Sequence, residues 1–111
     1  MTTIMIYQSN KGEYQRLTCK GHAGYADYGK DIVCAAVSIL GYTWLNELFI
    51  LEERKQVSNV TYKEKDGELL IEFSGGDDAV NTAYETILTG FEALKQNYPE
   101  NITLKRGACI F

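Results

Sequence analysis

At Ile32 the spacing of apolar residues changes, and this change constrains the fold more than any other feature of the chain. Before it, "TIMIYQS" (3–9) and "YQRLTCK" (14–20) alternate apolar and polar residues. Ile4 and Ile6 carry the first run, Leu17 and Cys19 the second, and the polar turn "NKGE" separates them. A period of two marks a strand with one buried face, so the runs predict a hairpin. From Ile32 onward Val33, Ala36, Val37, Leu40, Trp44, Leu48 and Leu51 recur at steps of three and four, the period of a helix face. Ile39 and Phe49 widen that stripe, which predicts a helix buried on more than one side.

The same succession then repeats. "VSNVTYKEK" (57–65) and "ELLIEFS" (68–74) flank Asp66-Gly67, and Asp-Gly between two alternating runs is a strong hairpin signal. After "SGGDD", residues 79–97 place Ala83, Ile87, Phe91 and Leu94 at helical spacing, with Asp77 or Asp78 as N-cap and Pro99 as the stop. "NITLKRGACIF" is left as a short last strand or an ordered tail. The order β-β-α-β-β-α-(β) predicts a single α+β domain, a mostly antiparallel sheet covered by two helices.

With 111 residues, one core is the default. A formal charge of −4 disfavours a phosphate backbone and favours a basic peptide or protein as partner. The first residues turn polar quickly and carry no basic leader, and Ser38, Thr43, Asn46 and Glu47 interrupt the long apolar run. Neither a signal peptide nor a membrane span is expected. Three cysteines without framework spacing argue against a disulfide scaffold, so a cytoplasmic chain with reduced thiols is expected.

The candidate chemistry lies in "CKGHAGYADYGKDIVCAAVS" (19–38). If Asp31 caps the helix, Cys34 falls at its third residue, where free amides and the dipole favour a thiolate. A cysteine starts near pKa 8.5, and lowering that by about two units takes about 2.7 kcal/mol. A helix end supplies about 0.3–1 kcal/mol, or about 2 when partly buried. The remainder calls for a cation, and His22 is the only histidine in the chain. If Cys34 attacks a carbonyl, its own amide and a loop N–H are the expected oxyanion donors. Gly21, Gly24 and Gly29 would let the loop approach a peptide, and Tyr25 and Tyr28 would wall it. Ser38 lies one turn after Cys34, placed to support the sulfur or the loop. Asp31 and Asp27 are the candidates for orienting His22.

Plainer readings stand beside this one. A cysteine in "IVCAAVS" is often only core, a lone histidine often only a loop residue, and Ser38 a helix serine satisfied locally. Cys19 reads as a core-facing strand residue and Cys109 as a tail residue. Cys19, His22, Cys34 and Cys109 could ligate zinc, but only Cys19 and His22 are closely spaced, so no metal is expected.

The stretch closely resembles the signature of the ribosomal-processing cysteine protease (Prp) family, in Gly21-His22-Ala23 followed by Gly29, Asp31, Cys34, Ala35, Val37 and Ser38. The resemblance extends over the chain in length and element order. It implies a cysteine protease domain over 1–111, with Cys34 as nucleophile, His22 as general base and no cofactor. It also implies a cytoplasmic homodimer that removes the N-terminal extension of large-subunit ribosomal protein twenty-seven, cutting after an aromatic residue. Asp31 and Ser38 would be supporting residues, and Gly21, Ala23, Gly24, Tyr25, Tyr28 and Gly29 loop or substrate residues. The alternative is a non-catalytic peptide-binding or ribosome-assembly module, which has no need of a reactive thiol at 34.

Overall fold

The computed structural model describes residues 1–8, 14–27 and 29–108. The "NKGE" turn, Tyr28 and Cys109 therefore lie outside the described residues. The elements are β1 (Thr2–Gln8), β2 (Tyr14–Lys20), α1 (Ile32–Glu53), β3 (Ser58–Lys65), β4 (Glu68–Ser74), α2 (Asp78–Asn97) and β5 (Ile102–Ala108). This is the expected α+β order, and the last segment is a strand.

The strands form one five-stranded sheet in the order β3-β4-β2-β1-β5. The pairs β1–β2, β2–β4 and β3–β4 are antiparallel, while β5 joins β1 in parallel, Ile4 opposite Leu104. Each helix links two parallel strands that are not neighbours, as long connections of this kind require. The register puts Ile4 opposite Cys19, Leu17 opposite Ile71, and Cys19 opposite Leu69, so the alternating residues meet on one face. That face is the core, shared with Val33, Trp44 and Leu48 of α1 and Val80, Leu88 and Phe91 of α2. Trp44 stacks on Tyr84 at 4.8 Å and meets Phe73 edge-on at 5.6 Å, which ties both helices to β4.

Both helices begin at an aspartate. Asp31 caps α1. Of the two candidates for α2, Asp77 is the cap, its carboxylate accepting from the Val80 amide at 3.0 Å. The stripe on α2 centres on Val80, Tyr84, Leu88 and Phe91, with Ala83, Ile87 and Leu94 on its flanks.

One expectation about α1 is corrected. Its buried residues, from Val33 through Val37, Gly41, Trp44 and Leu48 to Leu51, form a single face, while Ile39 is 65% and Phe49 41% exposed. One sheet and one neighbouring helix cover only one side of α1, so an all-round apolar helix keeps an open outer face. By length and composition α1 could cross a membrane, but its inner face is built into the sheet's core.

Candidate active site

The loop after β2 and the start of α1 are joined by one side chain. Oδ1 of Asp31 accepts from the amides of Val33 (2.9 Å) and Cys34 (3.0 Å). Oδ2 accepts from Tyr25 (2.9 Å) and Ala26 (3.4 Å). The carboxylate thus caps the helix and folds the loop back over it. Burial by itself would raise the Asp31 pKa, but the amides of Cys34, Tyr25 and Ala26 and the Cys34 thiol outweigh it and hold the carboxyl below its ordinary range.

Cys34 sits in the first turn of α1, half-buried. Its sulfur accepts a hydrogen bond from the Ala23 amide at 3.2 Å. Ala23 is buried, and its carbonyl is held by Asn101 Nδ2 at 3.0 Å. The oxyanion expectation is therefore corrected at one donor: the Cys34 amide is already bound to Asp31, because a capping carboxylate takes the amides a helix end leaves free. The Ala23 amide is the N–H that points at the sulfur.

His22 follows directly. Its carbonyl accepts from the Met1 ammonium at 2.7 Å, so the backbone on both sides of Ala23 is tied down. Its imidazole is 57% exposed, with Nε2 at 3.8 Å from Asp66 Oδ2. A cavity of about 830 Å³ opens between this loop, the start of α1 and the β3–β4 turn, and His22 and Cys34 both line it.

The remaining predicted residues divide. Asp31, Ser38, Gly21, Gly24 and Gly29 line the cavity with the pair. Ala23 lies behind it as a backbone donor. Tyr25 turns away, its ring edge-on to Tyr98 at 5.4 Å, so its amide serves the loop through Asp31 while its ring rests at the end of α2. Cys19 faces the core, where burial pushes its thiol up to about 12. Among the described residues, no three His, Cys, Asp or Glu side chains gather as a metal site.

Residues 1–103 match the family described as cysteine protease Prp. The chain belongs to this family. It is accordingly a cysteine protease, which sets aside the non-catalytic module. It is 27% identical over 105 residues to the ribosomal processing cysteine protease Prp of Staphylococcus aureus, covering 94% of this chain and 97% of that one. It is 33% identical over 92 residues to the Prp of Mycoplasma genitalium, covering 79% and 84%. The crystal structure of the S. aureus protease with a covalently linked product peptide superposes with a TM-score of 0.79 at 25% identity, over 96% of this chain and 100% of that one.

Sequence reasoning on this Prp-family chain missed the far wall of the cavity. The sequence marks Asp66 and Gly67 only as a hairpin turn, yet they face His22. Glu64 on β3 also lines the cavity, as does Tyr42 on α1. A hydrogen bond to Glu64, with burial and the charge of Glu64, pushes the Tyr42 phenol up to about 12. The signal for Glu64, Asp66 and Gly67 is tertiary, because β2 must pair with β4 to bring the second hairpin beside the first; Tyr42 was legible locally, since Cys34, Ser38 and Tyr42 follow one another at steps of four on α1.

Proposed function

We propose that this chain is an endopeptidase that removes the N-terminal extension of a ribosomal protein, large-subunit protein twenty-seven, with Cys34 as nucleophile and His22 as general base. The observation that carries the reading is the placement of Cys34, in the first turn of α1, and His22 on one open cavity in a chain of the cysteine protease Prp family. The relatives' names support a ribosomal substrate, and a related structure holding a peptide supports peptide binding.

In this mechanism His22 takes the Sγ proton as the sulfur attacks the scissile carbonyl. The tetrahedral intermediate collapses to a thioester as His22 returns the proton to the departing amine. Water, activated by the same imidazole, then hydrolyses the thioester. The Ala23 amide, at 3.2 Å from the sulfur, is placed to donate to the oxyanion on the carbon that the sulfur attacks. The imidazole stands on the cavity with Nε2 3.8 Å from Asp66 Oδ2, and its backbone is held through the His22 carbonyl. Catalytic hydrogen bonds commonly tighten only once substrate is bound.

The test is cleavage of a peptide copying that extension by wild type, Cys34→Ala and His22→Ala. One bond cut by the wild type alone is the expected result. Cutting retained in Cys34→Ala would sink the assignment.

A homodimer in the cytoplasm completes the reading. The outer face of α1 exposes Ile32, Ile39, Phe49 and Ile50, with Tyr62 of β3 against Phe49 at 5.8 Å, and Cys19 and Cys34 are free thiols. Sedimentation should give twice the chain mass, and Ile39→Lys should shift it to the monomer. A wild-type monomer at micromolar concentration would refute the dimer.

A further inference from the structure

The exposed turn between β3 and β4 is positioned against the imidazole by the sheet itself. The β2–β4 register runs Cys19 to Leu69 and Lys20 to Glu68. It continues past both strands: the Gly21 amide donates to the Gly67 carbonyl at 2.7 Å. The next residue on one side is His22, and on the other Asp66. Their side chains meet at 3.8 Å, Nε2 to Oδ2.

Gly67 forms the seat of the ring. A Cβ at this position would lie 3.0 Å from His22 Nε2, 3.4 Å from Cε1 and 3.5 Å from Cδ2, so the imidazole edge rests on the Gly67 backbone. The residue's φ of +71° also belongs to the region glycine adopts without strain.

We propose that Asp66 is a positioning residue for His22: its carboxylate holds the Nε2 side of the ring, with Gly67 beneath it, and leaves Nδ1 for the Cys34 proton. This inference rests on the reading of His22 as general base. When Nδ1 takes the Sγ proton the imidazole becomes a cation, and the carboxylate at Nε2 stabilises it until the proton passes to the leaving amine. Stability does not account for the contact. The carboxylate is 81% and the imidazole 57% exposed, and exposed pairs contribute little to folding.

The experiment compares wild type, Asp66→Ala, Asp66→Glu and His22→Ala on the extension peptide, with thermal unfolding of each. Asp66→Ala should lower kcat by about tenfold or more, with KM within about twofold and an unchanged melting temperature. Asp66→Glu, which restores the carboxylate, should recover most of the loss. A kcat for Asp66→Ala within about twofold of wild type, while His22→Ala is inactive, overturns the role of Asp66 and leaves the protease reading intact. A loss in Asp66→Ala that appears in KM alone, or that Asp66→Glu fails to recover, likewise overturns it. If His22→Ala cleaves as well as wild type, the general-base reading itself falls, and the role of Asp66 with it.

Discussion

Asp31 is a short side chain that holds four amides, two on the helix and two on the loop. Asn caps a helix about as well as Asp, but Asp31→Asn puts an NH2 donor where Oδ2 accepts from the Tyr25 and Ala26 amides, so it should cost about 1 kcal/mol at neutral pH. The pH dependence has a definite sign. The folded carboxyl titrates below its ordinary value of 3.8, so its contribution is present above that value and is lost as pH falls through the lower folded value. Urea unfolding of wild type and Asp31→Asn should therefore differ at pH 6 and converge toward pH 2. Curves with a constant separation would show that the charge is not what holds the loop.

The two described cysteines also part company at this scale. Both border the cavity, but Cys19 is buried, with its thiol pushed up to about 12, while Cys34 is only half-buried. Iodoacetamide followed by peptide mass mapping should modify Cys34 in the native protein and reach Cys19 only on unfolding. Equal modification of both would contradict the buried placement of β2.

At the scale of elements, the β3–β4 turn reaches the active site from more than thirty positions after Cys34 (66 − 34 = 32). Two glycines allow its steric role to be separated from backbone strain. Gly67 and Gly75 both have positive φ, +71° and +80°, so alanine at either should cost about 1–2 kcal/mol. Only at Gly67 does the new Cβ meet the imidazole, at 3.0 Å; at Gly75 nothing lies within 4 Å. Both variants should melt lower, and Gly67→Ala alone should lose kcat. An equal loss of turnover in both would mean that general destabilisation, and not displacement of the ring, is responsible.

The whole molecule depends on the contact between α1, α2 and β4 around Trp44, which is 1% exposed and stacks on Tyr84. Trp44→Ala should destabilise the fold by about 3–5 kcal/mol, read as a lowered urea midpoint by circular dichroism. A loss below about 1 kcal/mol would mean that the core collapses around the gap. Since β2 leads through the loop into α1, loosening this core should also disturb the placement of Cys34 relative to His22.

What the sequence by itself determined is whatever depends on neighbours along the chain. The period change at Ile32, the alternation in "YQRLTCK" and the Asp66-Gly67 turn are local patterns, and the elements follow them within a residue or two. The capping role of Asp31 was legible for the same reason: a cap is decided by residues two and three positions onward. Tertiary structure alone decided that β2 pairs with β4 and that β5 runs parallel to β1. A strand's side-chain pattern says which face is buried and not which strand lies beside it. From that pairing came the meeting of His22 with Asp66, forty-four positions apart (66 − 22). The open outer face of α1 has the same origin: apolar content declares that a helix can be covered, and only the arrangement of its neighbours decides which of its sides they cover.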